Sequence, residues 1–378
     1  MKTSISELPL QRPTWADVNL DSIRSNYLKL TQLANPASVM AVVKSDAYGH
    51  GAVHVARELE EAGASFFGVA TAAEAIALKQ AGIQAAVLVL SGMVPDQLPL
   101  LLHHEFIPAV YTSEFFETLV QFASKNNRQV QIHLKIDTGM ARLGFDPEDA
   151  ARLFEKDYPN VRIDGIFTHM ACADSTDRNY TERQLRTFQD FLDQYGHRVR
   201  YIHAAGSAAL LNYPQSKYNL VRPGLLLYGI SPISTTSDFS PVLSLKSRII
   251  FLNRVSSGQG VGYGLTFRAQ RDSLIATVPF GYADGLRRGL SNRLKVEVCG
   301  TICPIVGTIN MDLCMIDVTD VQDRVKPYDE ITFLGPKTTA WDWANLLNTI
   351  PYEITSLIGS RVPRVYYKNG VIHDVYYP

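Results

Sequence analysis

A chain of 378 residues exceeds the about 250 that one (β/α)8 barrel usually takes, so a second, smaller domain is expected. Hydrophobic residues make up 46% and charged residues 19%, a globular composition that excludes a disordered chain. Lys plus Arg (36) balances Asp plus Glu (37), leaving no net field to attract nucleic acid or an anionic membrane. The first residues, MKTSISELPLQRPTW, lack the apolar core of a signal peptide and no stretch approaches a membrane span, so a cytoplasmic location is expected.

From Trp15 to about Gly229 short apolar runs alternate with amphipathic stretches, as parallel βα units require. Eight runs read as strands, near 39–43, 66–70, 87–90, 107–111, 132–136, 163–167, 201–204 and 220–221. Between them, Ile23, Tyr27, Leu30 and Ala34 share one helical face, and Leu185, Phe188, Leu192 and Tyr195 repeat that spacing. Asp21, Ser113 and Asp146 stand where N-caps are expected, with Pro147 at a helix start. After Ser231 the Ser/Thr/Pro-containing SPISTTSDFSP marks a boundary. Strands are then predicted at 247–255, 274–278, 295–298, 313–318 and 330–334, with one helix near 341–347. The expected architecture is α/β: an N-terminal TIM-like (β/α)8 barrel over 13–239, followed by a C-terminal mostly-β domain over 240–378 on which residues 1–12 pack.

Catalytic groups in a parallel barrel sit at the carboxyl ends of strands, and phosphate is often held by the loops after strands seven and eight. AVVKSDAYGHG (41–51) puts Lys44 at the end of the first strong run, with Tyr48 one turn on. A lysine that ends a buried run is desolvated, which lowers its pKa and frees its amine for a Schiff base. Position alone also fits a solvated lysine at a strand end. The loops after runs seven and eight read HAAGSAA (203–209) and VRPGLLLYG (221–229), where the Ser207 hydroxyl and the Gly224 and Leu225 N–H groups can form an anion nest. The four cysteines, Cys172, Cys299, Cys303 and Cys314, show no paired metal spacing, and His50 with His54 lacks a third ligand, so no metal is expected. GQGVGYG (258–264) lacks the third glycine and the following helix of a dinucleotide site.

These stretches, with HLKIDTGMARLGF (133–145), GIFTHMACAD (165–174), VGYGLTF (261–267), PFGYADGLRR (279–288), GTINMDLCMIDV (307–318) and SRVPRVY (360–366), occur in an order that resembles the alanine racemase family. The resemblance implies pyridoxal 5′-phosphate (PLP) carried on Lys44 as an aldimine, with its phosphate held by Tyr48, Ser207, Gly224, Leu225 and Tyr352. It implies interconversion of L- and D-alanine by two bases, Lys44 and the Tyr263 of a partner in a homodimer, supplying D-alanine for peptidoglycan. His169 and Arg222 match the polar chain linking that tyrosine to the cofactor ring, and Arg222 faces the pyridine nitrogen. Arg142 orients the substrate carboxylate, Met311 offers its N–H, Asp312 supports the site, Tyr282 lines the entrance, and Lys135 matches a lysine carbamylated in some members. Two departures stand out: Ser45 where alanine is frequent, and Gly206 where asparagine is common. Other readings remain: a racemase of serine or of several amino acids, a non-catalytic PLP carrier, or a PLP decarboxylase. Arg222 argues against the decarboxylase, and the motifs beyond residue 240 argue against the carrier.

Overall fold

The computed structural model describes residues 10–233 and 238–378. Two compact units divide it: Ile23–Ala47 with Ala52–Ser240, and Pro241–Pro378 with the residues up to Ser22 and Tyr48–Gly51.

The first unit is the expected barrel. Its strands are Ser38–Val39 continued by Ala41–Val42, then Phe66–Val69, Ala86–Val89, Ile107–Val110, Val130–Lys135, Val161–Phe167, Tyr201–His203 and Leu220–Val221. Successive strands pair in parallel, and Leu220–Val221 pairs in parallel with Ser38–Val39 to close the ring. The seventh and eighth strands meet through Arg222 N donating to Ala205 O at 2.8 Å. Because side chains alternate along a strand, one residue in two points inward, and Met40, Phe66, Leu88, Ala109, Phe167 and Leu220 fill the interior as one apolar plug. Helices coat the outside. Ser113–Lys125 buries Phe115, Phe116, Leu119 and Ala123 along one stripe and is capped by Thr112, one residue before the expected Ser113, because the Thr112 hydroxyl accepts from Phe115 N. Asp146 and Pro147 start the helix Pro147–Arg152 as expected.

The second unit holds a seven-stranded sheet in the order Thr301–Pro304, Lys295–Val298, Glu330–Leu334, Leu243–Arg248, Thr14–Asn19, Arg364–Lys368, Val371–Tyr376. Thr14–Asn19 lies inside the stretch expected to form the barrel but belongs here instead. It is antiparallel to Leu243–Arg248 and parallel to Arg364–Lys368. Trp15, Ala16 and Val18 are wholly buried, as suits a strand covered on both faces. Helix Leu20–Ala34 therefore starts one residue before the expected cap Asp21, with Asn19 Oδ1 accepting from Ser22 N. The single strand expected at 247–255 is broken in two: Leu243–Arg248 joins this sheet, and Phe251–Val255 joins a three-stranded sheet with Ser273–Val278 and Cys314–Asp317. A core around Phe280, Phe333, Trp343 and Ile316 holds the unit, with helix Ala340–Leu347 capped by the Thr339–Asp342 capping box. Of residues 1–12, expected to pack on this domain, 1–9 lie outside the described residues. Arg12 is bonded within the unit, to Asp284. No helix among the described residues is long and apolar enough to cross a membrane.

Candidate active site

Alternation along the first strand carries Met40 and Val42 to the interior side, so Lys44, two residues on, stands at the carboxyl end of the barrel. Its amine is pushed below its ordinary pKa by burial, then by the Arg142 charge, with Glu74 opposing. Directly after it, Ser45, Asp46, Ala47 and Tyr48 have φ of +53°, +51°, +53° and +54°, one turn of left-handed helix. Each non-glycine residue there costs about 1–2 kcal/mol, so the turn persists only because its surroundings hold it. Ala47 N donates to Val43 O at 2.9 Å, Ala52 N to Asp46 Oδ1 at 2.7 Å and Ser45 N to Glu74 Oε1 at 2.7 Å. Glu74 Oε2 also accepts from Ala70 N at 2.7 Å and Thr71 N at 3.2 Å, so one carboxylate caps a helix and pins the lysine turn. The Thr71–Glu74 spacing is a capping-box signal that could have found this residue.

Arg222 lies at the end of the eighth strand and is buried. It donates through Nη2 to Thr168 O at 2.7 Å and Ala204 O at 3.0 Å, and through Nη1 to His203 Nδ1 at 2.7 Å, which commits three of its five N–H hydrogens. Its Nη2 is also 3.3 Å from His169 Nδ1. Burial lowers Arg222 to about 9, still cationic at neutral pH. His169 is pushed down to about 3 by burial and by Arg222, Lys135, Arg142 and Lys44, which keeps it neutral. Lys135, only 5% exposed, is pushed to about 8 by burial and then by Arg142 and Arg222. The loop before Arg142 is set by Asp137 Oδ1, which accepts from the N–H groups of Gly139, Met140 and Ala141. Gln184, on helix Asn179–Tyr195, ties this loop to the next: its amide donates to Thr138 Oγ1 and His169 O and accepts from Ala171 N.

The two glycine-bearing loops meet at Ser207, whose Oγ accepts from Gly224 N at 3.0 Å and Leu226 N at 3.4 Å. Helix Ser207–Asn212 begins with no side-chain cap at Gly206, and Leu225 opens a 3-10 turn after Gly224. Lys44, Lys135, Arg142 and Arg222 form no ion pair with a carboxylate among the described residues. Three cations without a paired counter-charge, Lys135, Arg142 and Arg222, suit a ligand carrying several negative charges. A desolvated amine beside them suits covalent capture of a carbonyl. The residues therefore fit a phosphorylated aldehyde such as PLP.

The second unit carries the remaining expected residues. The Tyr48 hydroxyl is raised above its ordinary pKa by burial and by its neighbour Tyr352. Tyr263 is 72% exposed on a turn whose carbonyl accepts from Thr308 Oγ1 at 2.9 Å, and Met311 and Tyr282 are also exposed. Gly281 lets two loops touch: a Cβ there would lie 2.3 Å from Met311 O, while Tyr282 N donates to Asn310 O and Ala283 N to Met311 O, both at 3.0 Å. Asp284, absent from the sequence expectations, is the hub of this corner. Arg12 grips it with two bonds of 2.7 and 3.0 Å, Arg361 Nε is 3.3 Å away, and Arg361 Nη2 reaches Asp312 Oδ1 at 2.8 Å. Asp284 is fully buried and the Arg12 side chain is 18% exposed, so removing the carboxylate strips the corner of its shared acceptor and leaves a partly solvated charge. Asp284→Ala is expected to cost about 2–3 kcal/mol, read as a lower denaturant midpoint with unchanged slope.

Residues 18–232 match the family model described as the alanine racemase N-terminal domain, and residues 242–366 match that of the alanine racemase C-terminal domain. The chain belongs to the alanine racemase family. An alanine racemase of Clostridium novyi is 37% identical, over 96% of this chain and 98% of its own. Among solved structures, the alanine racemase of Clostridium difficile 630 superposes with a TM-score of 0.93 at 33% identity, covering 97% of this chain and 99% of the other. The alanine racemase of Bartonella henselae with covalently bound pyridoxal phosphate superposes with a TM-score of 0.87 at 29% identity, covering 94% and 99%. Within this alanine racemase fold, the barrel unit brings together Lys44, Lys135, Arg142, His169, Ser207, Arg222, Gly224 and Leu225. The other unit carries Tyr48, Tyr263, Tyr282, Met311, Asp312 and Tyr352. Glu74, Asp137, Gln184, His203 and Asp284 bind these residues or their loops and were not anticipated.

Proposed function

We propose that this chain interconverts L- and D-alanine with PLP held on Lys44, acting as a cytoplasmic homodimer that supplies D-alanine for peptidoglycan. The observation that carries the reading is the cluster of three cations without paired carboxylates, Lys135, Arg142 and Arg222, around the desolvated Lys44 at the carboxyl end of a closed parallel barrel. When bound, PLP withdraws electrons from the α-carbon of an attached amino acid. Lys44 Nζ, held below its ordinary pKa by burial and by Arg142, takes or returns the α-proton on one face. The phenol of Tyr263 of the partner subunit does so on the other, and its 72% exposure here is what a residue reaching into another copy requires. Arg142 binds the substrate carboxylate. Arg222 has no acceptor to offer and keeps its proton at neutral pH, so it would hold the bound cofactor's ring by donating a hydrogen bond without protonating it, which would temper the electron withdrawal the cofactor supplies. In the barrel unit Ser207, Gly224 and Leu225 would hold the phosphate, the role the family resemblance also gives Tyr48 and Tyr352, as it gives Met311, Asp312 and Tyr282 a role towards the substrate.

Chiral chromatography of L-alanine, L-serine and L-lysine incubated with pure protein and PLP tests this. Equal amounts of the two alanine enantiomers are expected at equilibrium, with serine and lysine slower. Release of carbon dioxide, or binding of PLP with no inversion of any amino acid, would sink the assignment.

The low pKa of Lys135 gives a stability prediction. Between about 8 and its unfolded value the unfolded chain binds this proton and the folded chain does not, so the folded state gains stability as pH rises through that window. Lys135→Met in the cofactor-free protein is expected to be more stable than the parent at pH 7 and to lose most of that advantage by about pH 10, in paired urea titrations. A constant difference across the window would contradict the origin of the shift.

A further inference from the structure

The Arg222–His203 contact continues one step deeper, to a histidine that the reaction as described does not use. His203 Nε2 is 2.7 Å from His133 Nδ1, and both imidazoles are wholly buried inside the barrel. The protons on this chain are fixed by elementary bookkeeping. A guanidinium only donates, so His203 Nδ1, 2.7 Å from Arg222 Nη1, must carry a lone pair. The single proton of His203 is then on Nε2, which makes His133 Nδ1 the acceptor and puts the proton of His133 on Nε2. No protein acceptor among the described residues lies within reach of that last nitrogen, so the chain has one direction and ends there.

The ring planes are held as firmly as the protons. His203 stacks on Phe167 with centroids 4.7 Å apart and planes 4° apart. His133 stacks on Tyr201 at 5.6 Å and meets the edge of Phe66 at 5.8 Å. His133 and Tyr201 are the register partners of Gly165 on its two sides, so their rings meet across a residue with no side chain. A Cβ on Gly165 would lie 2.6–2.8 Å from Nδ1, Cε1 and Cγ of His133. Gly165 has no positive φ to explain it; the glycine is required by the ring beside it. What His133 contributes is the flip state of His203. Turning His203 over would aim a C–H at Arg222 and a different C–H at His133, breaking two buried hydrogen bonds together.

We propose that His133, seated against Gly165, is a positioning residue for the reaction: by accepting from His203 Nε2–H it fixes the tautomer and flip of His203, and so the orientation of the Arg222 guanidinium. The link to catalysis rests on the reading above, in which Arg222 faces the cofactor ring; the tautomers do not.

The experiment uses the PLP-loaded protein labelled with nitrogen-15 in histidine, and two-bond nitrogen–proton correlation of the imidazoles. In the parent, His133 and His203 are expected neutral with the proton on Nε2. His133→Asn keeps an acceptor at the position of Nδ1. It should leave the His203 pattern in place and kcat within about threefold of the parent. His133→Leu and Gly165→Ala should shift the His203 nitrogen signals and lower kcat about tenfold, with KM within about twofold. A His203 proton on Nδ1 in the parent overturns the proposal. So does a folded His133→Leu with parental kcat, or equal losses in the Asn and Leu variants, which would mean simple packing. If the parent fails to racemise alanine, the functional reading falls, while the imidazole signals still decide the relay.

Discussion

Lys44→Ala should abolish any covalent link to PLP that borohydride can reduce, and racemisation should fall by at least about a thousandfold, since the variant lacks both the attachment point and one proton carrier. The structure predicts a second, less intuitive result. The amine is held below its ordinary pKa by burial and by Arg142, so keeping it in the cofactor-free fold is costly rather than stabilising. The left-handed turn that follows is pinned by backbone donors to Glu74, Asp46 and Val43, none of which is lost with the lysine side chain. Cofactor-free Lys44→Ala should therefore melt at or above the temperature of the cofactor-free parent. Added PLP should stabilise the parent by linkage and the variant far less. A reducible adduct in the variant would remove Lys44 from its role, whereas a large loss of stability without cofactor would mean that the turn depends on the lysine itself.

The sequence made the barrel visible because its strands are short apolar runs separated by amphipathic stripes, a local signal that needs no knowledge of pairing. Lys44 and the loops at Ser207 and Gly224 were legible for the same reason: each sits next to the end of such a run. The second unit was harder. Its central strand Thr14–Asn19 precedes a helix, as a barrel strand would, and only pairing with Leu243–Arg248 and Arg364–Lys368, over 200 residues away, assigns it elsewhere. The break between Arg248 and Phe251 falls on Ile249 and Ile250, two apolar residues that give no turn signal. Asp284 and His203 were missed because their meaning lies in partners far along the chain: Arg12 and Arg361 for one, Arg222 and His133 for the other. The roles of Tyr263, Met311 and Tyr352 came from family resemblance, since nothing in their local spacing marks them.

Tyr263→Phe should leave the fold and PLP attachment unchanged, because the hydroxyl is on an exposed side chain and such substitutions usually shift stability by about 0.5 kcal/mol or less. Racemisation should fall by about a hundredfold or more, the scale of a lost general acid–base group. One face of the substrate would still be served by Lys44. In deuterated water the variant should wash the α-proton out of one enantiomer without inverting it, and leave the other enantiomer nearly untouched. Near-normal inversion would give the second proton to another group. The sharper consequence concerns which chain that phenol serves. If Tyr263 completes the site of its partner, a mixed dimer of the Lys44→Ala and Tyr263→Phe chains contains one site with both groups intact and one with neither. Unfolding the two inactive variants together and refolding them in equal amounts should then restore roughly a quarter of the parental sites, half the dimers being mixed with one good site each. If each chain used its own tyrosine, no mixture could contain an intact pair, and the activity would stay at the level of the variants.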